Sequence, residues 1–134
     1  MLVFGGTGAS LLDTTDPTYM GPGNSFLVTV VQTDGTTTVG VPMPTAGTLS
    51  NLQISIKDGP ATIADVWTFT VCVNEDCLQS LSCTITGTGG PPPMLCSDNV
   101  DTVNYAAGDR LTVQAVPSGL VTATSGSFSG TFAP

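Results

Sequence analysis

Large apolar side chains recur at every second position in Trp67-Thr68-Phe69-Thr70-Val71-Cys72-Val73, the period of a strand with one face on a core. Asn74-Glu75-Asp76 interrupts the run, and Leu78 to Ile85 resumes it with Leu81, Cys83 and Ile85 in phase. Two such runs around a polar tip predict a β-hairpin. Phe26 to Val31 is a continuous apolar run bounded by Asp34-Gly35, a hairpin signal. Thr36 to Val41 answers it, until Pro42-Met43-Pro44 ends the strand for want of a ladder donor. Leu49, Leu52, Ile54 and Ile56 mark a further strand, closed by Asp58-Gly59-Pro60. Beyond a Gly/Pro-rich loop come Thr102 to Tyr105, a turn over Ala106 to Asp109, and a strand from Leu111 to Val116. Pro117-Ser118-Gly119 predicts another turn, and Thr122 to Phe132 closes the chain with Phe128 and Phe132 in phase. Short strands at regular spacing, without helical periodicity, predict an all-β fold over residues 25–134. The expected architecture is an antiparallel β-sandwich whose strand number and length suit a jelly roll.

Residues 1–24 have a different texture. Gly5-Gly6-Thr7-Gly8, Asp13-Thr14-Thr15-Asp16-Pro17 and Gly21-Pro22-Gly23-Asn24 are breaker clusters around Leu2, Val3, Phe4, Leu11, Leu12, Tyr19 and Met20. This pattern predicts an extended N-terminal arm. A solvated tail has no need of so many large apolar side chains, so those residues are expected to order on a partner. Gly5-Gly6-Thr7-Gly8 lacks the Lys-Ser/Thr and the helix of a phosphate loop and reads as flexible backbone.

The 134 residues bound the chain to one domain with a short extension. Only 9% are charged, against about 25% in an average soluble domain, so some surface is expected to be buried between subunits. No apolar run approaches the roughly 20 residues of a membrane span. The acidic residues face only Lys57 and Arg110, with no histidine, for a formal charge of −8. Without clustered Lys and Arg to displace counterions, binding to nucleic acid is excluded, as is adhesion to an anionic membrane through a basic patch.

Cys72, Cys77, Cys83 and Cys96 admit three pairings. If Asn74-Glu75 is the hairpin turn, Cys72 and Cys77 lie opposite each other, and Cys83 and Cys96 would close the Gly/Pro loop. Such a closure is worth roughly 3 kcal/mol in the chain-entropy model. Zinc is the rival reading, but no Cys-x-x-Cys pair and no histidine supports it; buried thiols are the other. Disulfides imply an oxidising destination. Met-Leu-Val-Phe-Gly-Gly-Thr-Gly has neither the charged nor the apolar region of a signal peptide. Either a leader has been removed ahead of this sequence or the protein leaves its cell without one, as a virus particle released by lysis does.

Catalysis finds no footing. Serine and cysteine nucleophiles lack an imidazole base. Glu75 and Asp76 are adjacent on a hairpin tip and read as a solvated turn rather than a glycosidase pair. Asp98, Asn99 and Asp101 offer oxygen ligands for calcium but sit in no known calcium-loop pattern, so they too read as a turn. Trp67, a possible sugar platform, sits in an alternating run and reads as core. The expectation is a non-enzyme without cofactor or metal.

Certain segments carry a resemblance. Gly47-Thr48-Leu49-Ser50-Asn51-Leu52, Trp67 to Val71 with Asn74, Leu81-Ser82-Cys83-Thr84-Ile85, Cys96-Ser97-Asp98 and Ala106 to Gln114 are together similar to one group of modules. These are the β-sandwich heads of bacteriophage structural proteins and of bacterial surface and spore-coat proteins, which resemble trimeric jelly-roll heads of the complement and tumour-necrosis-factor type. The match covers roughly residues 45 to 132. The resemblance implies homotrimers, exposure outside a host cell and an interaction role. It also places Cys83 and Cys96 on the family's paired positions, with Cys72 and Cys77 an addition. The collagen-like stalk of spore-coat heads is missing. The expectation is therefore a capsid decoration (cement) subunit at the virion surface, with residues 1–24 on the major capsid protein. The alternative is a glycan- or receptor-binding head of a fibre or adhesin, acting through loops such as Gly87 to Leu95. A third is an extracellular filament in which the arm adds a strand to a neighbour's sheet.

Overall fold

A computed structural model describes residues 1–7, 10–22, 40–74 and 76–134. Among them every regular element is a strand: β1 (Leu2–Gly6), β2 (Thr18–Met20), β3 (Val41–Pro42), β4 (Gly47–Ile56), β5 (Val66–Val73), β6 (Ser82–Thr86), β7 (Leu95–Tyr105), β8 (Arg110–Ser118) and β9 (Gly126–Ala133). One sheet has the order β1-β9-β4-β7 and the other β2-β8-β5-β6, with β3 also on β8. All pairings are antiparallel. The pairs β5–β6, β4–β7, β2–β8 and β1–β9 are nested. The described strands thus follow one long hairpin, folded at the β5–β6 tip and rolled into two layers, which is jelly-roll connectivity. The strand expected over residues 26–31, and all but the end of the one expected over 36–41, lie outside the described residues.

The core lies between the layers. Trp67, Phe69 and Val71 of β5 meet Leu49, Leu52, Ile54 and Ile56 of β4, with Leu111 and Val113 of β8 and Phe128 and Phe132 of β9. Fully burying a side chain of this size contributes about 1.5–3 kcal/mol. Leu49 and Leu52 are out of phase for a regular strand, yet both are buried. A β-bulge between Ser50 and Leu52 resolves this, with Asn51 in the left-handed region at φ 55°. Asn tolerates that backbone better than other residues with a side chain.

The expected hairpin is present, but its second strand begins at Ser82, and Leu78 is exposed. Local bonds hold the intervening residues: Asp76 accepts from the Leu78 amide at 2.9 Å and the Gln79 side chain at 3.0 Å. Two disulfides follow, Cys72–Cys77 within the tip and Cys83–Cys96 between β6 and β7, so the second ties the two sheets together. Pro117 does not turn the chain. It lies within β8, past the last β2 partner at Ala115, and the turn comes at Gly119 with φ 81°.

The stretch expected to be an extended arm is built into the sandwich over its described residues. Leu2–Gly6 runs along β9, Thr18–Met20 along β8, and Leu12 donates its amide to Thr124 at 2.8 Å. Gly5 and Gly6 are close-packed rather than flexible: a Cβ on Gly5 would run into the Gly21 carbonyl. Thr7 is buried, exchanging bonds with Gly126 at 2.8 and 2.9 Å.

Candidate functional site

The residues expected to meet a partner fall into two groups. Leu12, Tyr19 and Met20 are buried in this chain's own interior, and Val3 packs against the main core. Leu2 and Phe4, at 64% and 60% exposure, point outward from β1, and Leu11 is also exposed. Along β1 alternation sets Val3 inward and Leu2 and Phe4 outward, since successive side chains take opposite faces. Leu2, Val3 and Phe4, with Pro22 and Val41, surround an apolar cleft of about 280 Å³ beside the strand.

The outer face of the β1-β9-β4-β7 sheet adjoins this edge. Register places Phe4, Ser129, Gln53 and Ser97 in one row across four strands, and Ser127, Ser55 and Leu95 in the next. Their inward neighbours Ile54 and Phe128 are in the core. A shallow trough of about 570 Å³ lies over these rows, and none of its lining residues is ionisable. Leu95 is 72% exposed at the side opposite Phe4. Sequence reading singled out only Phe4 and, within the loop it proposed, Leu95 as interaction residues; it named Gly5, Ile54, Cys96, Ser97 and Phe128 for other reasons, and Gln53, Ser55, Ser127 and Ser129 not at all. The signal was present in Ser127-Phe128-Ser129 and Gln53-Ile54-Ser55, where an inward apolar residue fixes its polar neighbours outward.

Among the described residues, the carboxyls of Asp13, Asp65, Asp98 and Asp109 hold turns and loops together. At Asp98, burial raises the carboxyl's pKa, but the amides of Asp101, Val100 and Ser82, at 3.0–3.1 Å, outweigh it, leaving it below the usual range. They shape a bulge in β7, and Asn99 accepts from Gln53 at 3.0 Å. Asp109 is lowered by the Asn74 side chain and the Ala106 amide, which pin the hairpin tip to the β7–β8 turn. Asp65 is lowered chiefly by the Leu120 amide at 2.8 Å, joining the β4–β5 and β8–β9 loops. Asp13 is lowered by the amides of Thr15 and Asp16 and the Thr15 hydroxyl.

Among the described residues no group of His, Cys, Asp or Glu is placed to hold a metal ion. Trp67 is fully buried and stacks on Phe69, with ring centroids 6.2 Å apart, so it offers no face to a ligand. In the Gly87-to-Leu95 loop, Gly87 donates to Asp65 at 2.9 Å and Met94 accepts from Ile56 at 2.9 Å, so both ends are anchored. Glu75 lies outside the described residues. The arrangement is suited to surface recognition: an apolar strand edge, and beside it a neutral hydroxyl-lined face. No protein-family model matches the chain, and no curated protein is significantly similar to it.

Proposed function

We propose that this protein is a bacteriophage virion subunit, a capsid decoration (cement) protein that trimerises on the major capsid protein lattice and stabilises it at the particle surface. The observation that supports this reading is the exposed apolar edge of β1, where Leu2 and Phe4 stand beside the cleft bordered by Pro22 and Val41. Covering a Leu or Phe side chain is worth about 1.5–3 kcal/mol, and association costs at least about 4 kcal/mol. One such edge alone binds weakly, whereas three edges on one trimer engage a lattice with the gain of multivalency. Any free energy of binding to assembled lattice then stabilises the particle by linkage.

The test is cosedimentation of the purified protein with undecorated particles, beside native mass spectrometry for oligomeric state. Wild type is expected to be trimeric and to bind saturably, and Leu2→Asp to weaken binding by about tenfold or more. Undiminished binding by Leu2→Asp, or no binding by wild type, overturns the reading. A second reading, a glycan-binding head of a fibre or surface adhesin, is favoured by the neutral trough beside that edge.

A further inference from the structure

The trough on the outer face of the β1-β9-β4-β7 sheet has a chemistry that cement function does not require. The whole chain carries a formal charge of −8, yet the trough is lined only by hydroxyl, amide and apolar groups. An anionic ligand meets a repelling protein there, and a cationic one finds no carboxylate in the lining. The polar groups are mainly serine hydroxyls, each able to donate and to accept. They stand on neighbouring strands, at a spacing of about 4.8 Å set by the sheet. That spacing is close to the advance of one hexose ring along an extended chain. Phe4 offers its ring at one side, 60% exposed, and Leu95 bounds the other, 72% exposed. Sugar rings present C–H faces to aromatic rings and hydroxyls to everything else.

From this juxtaposition we infer that the outer sheet face binds a neutral oligosaccharide. Phe4 stacks on a ring, the Gln53 amide oxygen accepts a hydrogen bond within the first row, and Ser55, Ser127 and Ser129 exchange hydrogen bonds with ring hydroxyls. Gln53 is already oriented, since its side-chain nitrogen donates to Asn99 at 3.0 Å and leaves its oxygen available as an acceptor. The inference is independent of the capsid reading, because it concerns the isolated protein and a soluble ligand.

The experiment is an amide NMR titration of the full chain with cellohexaose, maltohexaose and tetra-N-acetylchitotetraose. At least one is expected to shift resonances confined to β1, β4, β9 and the start of β7. Phe4→Ala and Gln53→Ala should each weaken binding by about tenfold, the scale of one aromatic or polar contact. Leu78→Ser, at the opposite end of the sandwich, should leave it unchanged. Two-dimensional spectra of each variant establish that it is folded, and Ser129→Ala serves if Phe4→Ala is not. The inference is overturned if no sugar produces shifts at about 10 mM, or if the shifts map elsewhere, or if Phe4 and Gln53 variants bind as wild type does. Particle cosedimentation reads the capsid proposal separately, so either can fail alone.

Discussion

Leu11 and Leu12 are neighbours in a segment that sequence reading places outside the domain, and the structure gives them opposite fates. Leu12 is 1% exposed within the main core, while Leu11 is 54% exposed. Truncating a fully buried leucine to alanine costs about 2–5 kcal/mol, because lost transfer energy adds to the cavity left behind. For a domain of this size each kcal/mol is worth about 3–5 °C in midpoint, so Leu12→Ala should lower Tm by roughly 6–25 °C. The backbone bond from Leu12 to Thr124 survives the substitution, which confines the effect to packing. Leu11→Ala removes less than half as much buried surface and should cost under about 1 kcal/mol. Thermal and urea unfolding of the two variants beside wild type, followed by circular dichroism, measures the difference directly. If Leu12→Ala is no more harmful than Leu11→Ala, the first strands are not part of the cooperative core, and the rolled-hairpin account of residues 1–22 is wrong.

Asn51 sits at φ 55° in the β4 bulge, so Asn51→Val should cost about 1–2 kcal/mol in chemical denaturation while Asn51→Gly stays near wild type. Tyr105 donates its buried hydroxyl to the Cys72 carbonyl at 2.8 Å, and burial, with Asp109 nearby, raises its pKa well above the ordinary value. The folded state therefore holds a proton that the unfolded state releases above about pH 10, so stability should fall as pH rises through that point and fall less in Tyr105→Phe. The lowered carboxyls of Asp13, Asp65, Asp98 and Asp109 act at the other end: their stabilisation is present above about pH 4 and lost below it, which an acid titration of Tm should show. Replacing Cys83 and Cys96 together by serine removes the tie between the sheets and should cost roughly 3 kcal/mol.

The interior of the fold was legible because period-two alternation survives wherever both neighbours of a strand are strands. Trp67, Phe69 and Val71, or Phe128 and Phe132, declare their face by spacing alone. Leu49 and Leu52 required a bulge that spacing does not announce, although Asn51 is one of the few residues that permits it. Two of the outermost strands, β1 and β2, were illegible for a physical reason. β1 has three apolar residues in succession, one inward and two outward, followed by glycines needed for close approach to Gly21 and Gly126. β2 buries all three of its residues, so it shows no alternation at all. The hydroxyl-lined face was hidden differently: its serines look like ordinary solvated strand positions until register sets them beside Phe4 and Leu95.

Nesting also orders the strands by how much chain must be closed to pair them. β5 and β6 are separated only by the tip, which the Cys72–Cys77 disulfide and Asp76 already organise, and the Cys83–Cys96 bond carries the chain across to β7. By contrast β1 pairs with β9 across nearly the whole chain, and the Met1 amino group reaches the Phe132 carbonyl over 131 positions. Loop-closure entropy grows with separation, and β1 lies at the margin of its sheet with its outward side chains in water. Opening β1 therefore exposes less apolar surface than opening β5, and it sacrifices contacts that are the most expensive in entropy to hold. Native-state hydrogen exchange should rank amide protection with β5 and β8 highest, β4 and β9 next, and β1 lowest. An apolar edge that opens before the core is well placed to gain order from a partner, so a ligand or lattice contact on β1 should raise its protection selectively. Uniform protection across all strands would mean that the sandwich opens only as a whole, and that its outer strand is no more available to a partner than its centre.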